Sequence, residues 1–222
     1  MSNYEKETLN AYRTSQRAQE YKRYHTKDWS WARISTWLEQ KSLGRELSRY
    51  NWSNTDRLLD IPCGTGILGK ILHKFPFRIF ASDISPEMMT LAQEEYPVDR
   101  LDGCIQADIT ATGFDRESFD CIVVLGFLHR VPKDIRLAAM KEIAALSKGV
   151  VIINCSINSP IQRLKMKMLS LIWPNHIPAP CPVTLSEMIS ECENTGFKVV
   201  RSFMVVPLLS AKAMLVLEKK EA

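Results

Sequence analysis

Three closely spaced glycines make the segment RLLDIPCGTGILGKIL, residues 57–72, the strongest chemical signal in the sequence. Gly64, Gly66 and Gly69 follow an apolar run typical of a strand and open a run typical of a helix. Glycine lets the backbone turn sharply and approach a ligand without an intervening Cβ. The N–H groups at the start of the helix favour anionic or electron-rich ligand groups. The spacing predicts a ligand site at this turn, and taken alone it suits a dinucleotide equally well.

Carboxylates end three consecutive apolar runs around this turn. Asp60 ends the run before the glycines, Asp83 ends the next run, and Asp108 ends the third. Because the carboxyl ends of parallel strands meet at one edge of a sheet, we expect the three acids to line one crevice. Asp83 would accept hydrogen bonds from ribose hydroxyls, and Asp108 would accept from an adenine amino group. A single strand-end acid is more often structural, for example as a helix cap, so this prediction depends on all three being in register with the turn.

These motifs resemble those of the class I S-adenosylmethionine-dependent methyltransferases. The matching segments are LLDIPCGTG, the strand end at Asp83, IQAD at 105–108 and FDCIVVLGFLHRVPKD at 119–134. The resemblance is close over residues 50–157 and looser toward the C-terminus, and it implies S-adenosylmethionine as the cofactor. The cofactor contacts that it implies are Asp60, Cys63, Gly64, Thr65, Gly66, Asp83, Ile84, Met88, Asp108, Ile109, Leu125, Gly126 and Phe127 in the core and Tyr24 in the N-terminal segment.

Methyl transfer from a sulfonium is an in-line displacement in which alignment does most of the work. An anionic or neutral-amine acceptor needs little else in a site that excludes water, whereas a hydroxyl acceptor needs a general base. His129, just past the fourth strand-like run, is the candidate base. The alternative interpretation is a histidine packed in a loop or bonded to the backbone.

The elements that would position these residues alternate between apolar and amphipathic runs. Apolar runs at 57–61, 77–83, 103–108, 119–127 and 148–156 suit strands buried on both faces, and helices are expected near 66–75, 86–96 and 133–147. This alternation predicts an α/β fold with a parallel central sheet. The resemblance implies a doubly wound, seven-stranded, mostly parallel sheet that ends in an antiparallel hairpin.

We expect a single domain, residues 1–222, in four parts. Residues 1–50 would form an N-terminal helical cap and residues 51–157 the cofactor-binding core. Residues 158–183 would form a helical lid insertion. Residues 184–222 would hold a helix that opens at Thr184 and two strands with a short link, which should pair antiparallel.

Charge is distributed unevenly along the 222 residues, although the net charge is only +4. Residues 1–50 carry ten basic and six acidic side chains, residues 51–157 carry eleven and fourteen, and residues 158–182 carry three basic ones and no acid. The basic surplus therefore lies in the two segments expected to cover the substrate. It favours a small or lipid-linked, anionic acceptor and leaves peripheral membrane contact open.

Composition limits the other partners and the compartment. No apolar run is long enough for a transmembrane helix, and the polar N-terminus excludes a secretory signal. Six cysteines without paired spacing indicate a reduced, cytoplasmic chain with no metal site. Aromatic and basic residues interleave between residues 17 and 33, but a pI near 8.7 disfavours a nucleic-acid substrate. No obligate protein partner is inferred.

Two other functions remain open. A nicotinamide-dependent oxidoreductase would also use the glycine turn with Asp83, but the chain contains no Tyr-x-x-x-Lys pair. A noncatalytic cofactor-binding regulator would keep the turn and the acids without turnover, since a fold does not fix a function.

Overall fold

A seven-stranded sheet forms the centre of the molecule. The computed structural model describes residues 15–26, 31–158, 181–206 and 211–220. The strands are β1 (Arg57–Asp60), β2 (Arg78–Asp83), β3 (Leu101–Gln106), β4 (Phe119–Val124), β5 (Ser147–Ser156), β6 (Phe197–Met204) and β7 (Lys212–Lys219). The helices are α1 (Ser15–Thr26), α2 (Trp31–Leu47), α3 (Gly69–Leu72), α4 (Pro86–Ala92), α5 (Lys133–Leu146) and α6 (Leu185–Asn194).

The strand order is β3-β2-β1-β4-β5-β7-β6. The first five strands are parallel, whereas β7 runs antiparallel to both β5 and β6. The mostly parallel sheet with an antiparallel C-terminal pair confirms the predicted fold class. The order reverses between β1 and β4, which places a ligand crevice outside the carboxyl ends of these strands.

Apolar side chains on the two faces of the sheet build two separate cores. On one face, Leu59 and Ile122 pack with side chains of α5 and α6, such as Ile143 and Met188. On the other face, residues of β1, β2 and β4 pack with residues of α2, α3 and α4; the members include Leu58, Ile79, Val123, Leu43, Leu72 and Met89. Helices on both faces make the fold doubly wound, and they fix the carboxyl edge of the sheet as the open side.

Local sequence signals place several helix ends correctly. Ser85 caps α4 by accepting from the Met88 amide at 3.2 Å, with Pro86 in the first turn. Thr184 and Glu187 form the reciprocal capping box that the sequence predicts for α6. Gly196, at φ +96°, ends that helix.

Three expectations about the core elements were wrong in detail. The helix predicted near 66–75 is regular only over α3, because the chain between Gly64 and Leu68 forms turns. The helix predicted over 86–96 ends at Ala92 and is followed by turns. The third strand is not buried on both faces, since β3 lies at the sheet edge and Ile105 is 42% exposed.

Two segments were predicted to lie outside the core, the N-terminal cap and the lid insertion. The N-terminal segment contains the helices α1 and α2, in agreement with the helical structure predicted for it. Residues 159–180 of the predicted lid lie outside the described residues. No helix within the described ranges has the length and apolar character needed to cross a membrane.

Candidate functional site

Asp83, the last residue of β2, holds the glycine turn from the neighbouring strand. Its Oδ2 accepts the Gly64 amide hydrogen at 2.8 Å, and its Oδ1 accepts the Ser85 amide at 2.9 Å. Burial raises the pKa of this carboxyl, while the backbone N–H groups of Ser85, Gly64 and Ile84 oppose that rise. Asp83 therefore fixes the turn between β1 and its helix and also brings a carboxyl group to the strand end.

The glycines of the site meet two different requirements. Gly64 and Gly126 adopt φ of +54° and +76°, and a Cβ built on either would meet no atom within 4 Å. A Cβ on Gly66, at φ +74°, would lie 2.8 Å from the backbone of Ala92. Gly66 thus allows close packing against α4, whereas Gly64 and Gly126 leave open space beside the carboxyl ends of β1 and β4.

Asp60, the last residue of β1, lies behind the glycine turn in the interior. Its Oδ2 accepts a 2.5 Å hydrogen bond from the Tyr96 hydroxyl. Burial raises the pKa of Asp60 to about 7; the Tyr96 hydrogen bond opposes the rise and the charge of Asp83 adds to it. Cys63 is also buried, and burial raises the pKa of its thiol well above the usual range. Neither group has the environment of a reactive nucleophile.

The residues after β2 and β3 occupy different depths. Asp108 is half-buried, and its Oδ1 accepts from both the amide and the hydroxyl of Thr110 at 2.8 Å. Ile109 and Met88 are buried, and Ile109 belongs to the core beneath the sheet edge. Ile84 is half-buried, and its carbonyl accepts from the Gln106 side chain at 3.0 Å. Asp108 and Ile84 are thus partly accessible after the ends of β3 and β2, whereas Ile109 and Met88 lie in the interior.

The segment after β4 forms the adjoining part of the edge. Leu125, Gly126 and Phe127 are half-buried, and the Gly126 amide donates to Asn154 Oδ1 at 2.7 Å. His129 is 5% exposed, and its Nδ1 makes no hydrogen bond within the described part of the chain. Burial, followed by the charges of Arg130 and Lys212, lowers the pKa of His129 to about 3. His129 is therefore a neutral imidazole at physiological pH.

The helix α1 covers the same edge. His25 bonds through Nδ1 to the Thr36 hydroxyl at 3.0 Å, and Tyr24 packs edge-on against His25. Burial and the charges of Lys212 and Arg130 lower the pKa of His25 to about 4. The same two cations thus act on His25 and His129, which places the N-terminal cap and the segment after β4 around one positively charged region.

A cleft of about 180 Å³ lies between the two N-terminal helices and the glycine turn. The residues that line it are Lys22, His25, Thr26, Arg33, Thr36, Trp37, Gln40, Thr65, Ile67, Lys70 and Glu95. The hydroxyl of Thr65 is buried and has no hydrogen-bond partner within the described residues. A buried hydroxyl without a partner is costly, so this side chain is suited to a polar ligand group at the turn.

Several residues of this edge are missed by the sequence reasoning. Asn154 lies within the apolar run of β5, where a polar residue in a buried strand is the available signal. Glu39 and Lys212 come from helix and strand segments that give no local signal, and their side chains form an ion pair. Tyr96 reaches Asp60 from a position 36 residues further along the chain. Only the three-dimensional fold brings these side chains to the site.

Comparisons with known proteins agree with this architecture. Residues 59–153 match the family model described as a methyltransferase domain. An uncharacterised methyltransferase of Schizosaccharomyces pombe is 31% identical over 120 residues, which cover 49% of this chain and 43% of that protein. The chain thus spans less than half the length of this curated relative.

Solved structures share the fold at low sequence identity. The magnesium protoporphyrin IX methyltransferase of Synechocystis PCC 6803, solved with bound S-adenosylhomocysteine, superposes with a TM-score of 0.80 at 15% identity, covering 97% of this chain and 100% of that one. A S-adenosylmethionine-dependent methyltransferase of Methanosarcina mazei superposes with a TM-score of 0.63 at 17% identity, covering 80% and 98%. Through residues 59–153 the chain is thus similar to the methyltransferase domain family, and its fold is the one seen in these methyltransferase structures.

Proposed function

We propose that this protein binds S-adenosylmethionine at the carboxyl edge of β1, β2 and β4 and transfers its methyl group to a small, anionic acceptor. The observation that carries the proposal is the Asp83–Gly64 hydrogen bond, which fixes an open glycine turn beside a strand-end carboxylate. The family match over residues 59–153 supports the same cofactor, since this family uses S-adenosylmethionine.

The residues at the edge fit this cofactor. The space beside Gly64 admits a ligand against the backbone, and the Thr65 hydroxyl, which has no partner within the described ranges, can bond to a polar ligand group. The two carboxylate oxygens of Asp83 offer about four acceptor sites, and the backbone N–H groups of Gly64, Ser85 and Ile84 occupy at most three of them, so capacity remains for a ribose hydroxyl. Asp108 offers the corresponding acceptor for the adenine amino group.

The bound cofactor would supply an electrophilic methyl group on a sulfonium. The chain's own contribution is to hold the reactants in line and to exclude water, because alignment provides most of the acceleration of such a displacement. The segment Leu125–Phe127 and the helix α1 would enclose the acceptor. The Nδ1 of neutral His129, which has no hydrogen-bond partner among the described residues, can accept a proton from a hydroxyl acceptor, although a pKa of about 3 makes it a weak base. An acceptor that is already deprotonated therefore suits this site better.

Positive charge near the acceptor side supports an anionic substrate. Arg130 and Lys212 act on both histidines of the region, and Glu39 neutralises one of the two cations. A carboxylate-bearing acceptor would be attracted there, and its charge would orient it. All six cysteines are free thiols, which supports action in a reducing, cytoplasmic environment.

Calorimetric titration with S-adenosylhomocysteine and with NAD tests the cofactor. We expect binding of the first and none of the second; the reverse result would support an oxidoreductase and overturn the proposal. Asp83→Ala should weaken binding of S-adenosylhomocysteine by at least about 1.5 kcal/mol, the scale of a lost charge-assisted hydrogen bond. Asp99→Ala, at a side chain that is 80% exposed, serves as the control and should bind normally.

The acceptor class is tested with pairs of acceptors that differ only in one carboxylate remote from the methylated atom. Arg130→Gln should raise KM for the anionic member and leave KM for the neutral member unchanged. Equal effects on both members would overturn the proposed preference for an anion. Binding of S-adenosylhomocysteine without turnover of any acceptor would support the noncatalytic regulator instead.

A further inference from the structure

A hydrogen-bonded chain of side chains joins the N-terminal cap to the segment after β4. The Asn154 amide group in β5 accepts from the Gly126 N–H through Oδ1 and donates through Nδ2 to Glu39 Oε2 in α2, with both distances 2.7 Å. Asn154 is fully buried and Glu39 is 7% exposed. Three parts of the protein that are far apart in sequence thus meet at one buried carboxamide.

The second oxygen of Glu39 is occupied as well. Ser35, one turn earlier in α2, donates to Oε1 at 3.1 Å, and the Lys212 ammonium at the start of β7 forms an ion pair with the same oxygen. The buried carboxylate is therefore both neutralised and hydrogen-bonded, which is the condition for tolerating a charge in the interior. With both oxygens engaged, Glu39 has a fixed orientation and can in turn fix the Asn154 amide.

Asn154 is a polar residue within a strand whose neighbours on both sides are buried and apolar. Burying a polar side chain costs free energy unless it forms hydrogen bonds, so an aliphatic side chain would be more favourable at such a position. The presence of an amide therefore indicates that its hydrogen bonds have a role. Here the amide accepts a hydrogen bond from the Gly126 N–H. Gly126 has a φ of +76°, and a Cβ at this residue would meet open space. The amide of a glycine at a strand end would otherwise be free to reorient.

We infer that Glu39 and Asn154 are positioning residues that set the orientation of the Leu125–Phe127 segment and couple it to the cap helix α2. The inference deepens the proposed function, because it takes this segment as part of the cofactor and acceptor site. Loss of the Glu39 carboxylate releases the Asn154 side chain, and the Gly126 amide then loses its fixed acceptor. Glu39 acts on the Gly126 amide through Asn154.

Hydrogen exchange of the ligand-free protein tests this positioning directly. Asn154→Asp leaves an acceptor for Gly126 but places a second carboxylate against Glu39, and like charges at this distance repel. We expect exchange of the Gly126 amide to quicken about tenfold or more, the effect of losing roughly one buried hydrogen bond. S-adenosylhomocysteine should bind about tenfold more weakly for the same reason.

The double variant Glu39→Gln with Asn154→Asp reverses the polarity of the central bond. The introduced glutamine amide can donate to the introduced aspartate, which still accepts from Gly126, and the total charge equals that of the native pair. We expect slow exchange of the Gly126 amide and most of the ligand affinity to return. If Asn154→Asp does not fold, Glu39→Ala should quicken the exchange, whereas Glu39→Gln, which can still accept from Asn154, should not.

Glu46 provides the matched control. It lies in the same helix, is 2% exposed, and pairs with Arg201 at 2.8 Å rather than with the site. Glu46→Gln should lower the melting temperature without changing Gly126 exchange or ligand affinity. Unchanged exchange in Asn154→Asp and Glu39→Ala, or equal quickening in Glu46→Gln, would overturn the positioning role. If exchange responds as expected but wild-type protein binds no S-adenosylhomocysteine, the proposed function fails and the structural coupling stands.

Discussion

The Tyr96 hydroxyl donates a 2.5 Å hydrogen bond to Asp60 Oδ2 directly behind the glycine turn, and both side chains are buried. Tyr96 follows α4, which packs against Gly66, so this bond ties the end of β1 to the layer that supports the turn. It gives the Asp60 carboxyl group, which is shielded from water, a side-chain hydrogen-bond donor. The ionisation of Asp60 should therefore be coupled to the stability of the fold.

Ionisation of Asp60 should contribute to the pH dependence of the free energy of unfolding. Its pKa is raised from 3.8 to about 7 in the folded state, so the native protein binds more protons than the unfolded chain between these values. The free energy of unfolding should fall as pH rises through this window. Asp60→Asn should remove part of that decline, as measured by urea unfolding across the window. Asp99→Asn, at an exposed carboxyl, should retain the full decline; identical slopes for wild type and Asp60→Asn would contradict the assignment.

Gly64→Ala should separate cofactor binding from backbone strain. Gly64 and Gly113 have φ of +54° and +74°, and a Cβ at either position meets open space. Alanine at each should therefore cost a similar free energy of unfolding, about 1 kcal/mol for a left-handed conformation. Only Gly64→Ala should also abolish or strongly weaken binding of S-adenosylhomocysteine, measured by calorimetry. Equal ligand affinity in the two variants would show that Gly64 does not face the cofactor.

The buried state of His129 predicts an acid-dependent loss of stability. Its pKa is lowered from 6.5 to about 3, so the unfolded chain binds more protons between these values. The free energy of unfolding should fall as pH falls through this window, and His129→Gln should remove part of the fall. His25→Gln is the comparison, because the pKa of His25 is lowered only to about 4. An acid limb of kcat/KM near pH 6.5 that disappears in His129→Gln would contradict the neutral, buried state.

Removing one partner of the Arg136–Glu191 ion pair should destabilise the protein more than replacing both partners with apolar residues. Two guanidinium nitrogens of Arg136 in α5 contact the Glu191 carboxylate in α6 at 2.6 and 2.9 Å, and the pair is almost fully buried. Arg136→Met leaves an unpaired charge and should cost about 3–5 kcal/mol in the free energy of unfolding.

The double variant with Glu191→Leu should be more stable than Arg136→Met alone, as denaturant midpoints would show. Lys148→Met, which breaks the more exposed pair with Asp120, should cost about 1 kcal/mol or less. A loss in the double variant equal to that of Arg136→Met would indicate that packing of the arginine, rather than charge pairing, dominates.

Features that depend on neighbouring residues were predictable from the sequence. Ser85 and Thr184 cap their helices through amides three residues ahead, so a short window contains the whole interaction. The glycine turn and the Asp83 strand end are recognisable for a similar reason, since spacing within a strand–turn–helix unit sets their relation. The alternation of apolar and amphipathic runs predicted the parallel core, and the short link between the last two strand-like runs predicted their antiparallel pairing.

Features that depend on long-range pairing were not predictable. Asn154 and Glu39 lie 115 residues apart, and nothing near either one indicates the other. Asp60 was placed in the crevice by its position at a strand end, whereas its bond to Tyr96 depends on how α4 returns beneath the turn. The exposure of β3 depends on its edge position, which the order of apolar runs along the chain does not specify.

The direction of β7 determines which residue of this strand lies at the carboxyl edge of the sheet. Since β7 is antiparallel to β5, Lys212 at its first position lies beside Ser156, at the carboxyl end of β5. In the proposed function, a residue outside the segment 59–153 that matches the family model therefore lies on the side of the acceptor. Substitutions at Lys212 are therefore expected to alter which acceptor is received, whereas the glycine turn and Asp83 lie within the matched segment. The direction of one strand thus brings the matched segment and a residue from outside it to the same edge of the sheet.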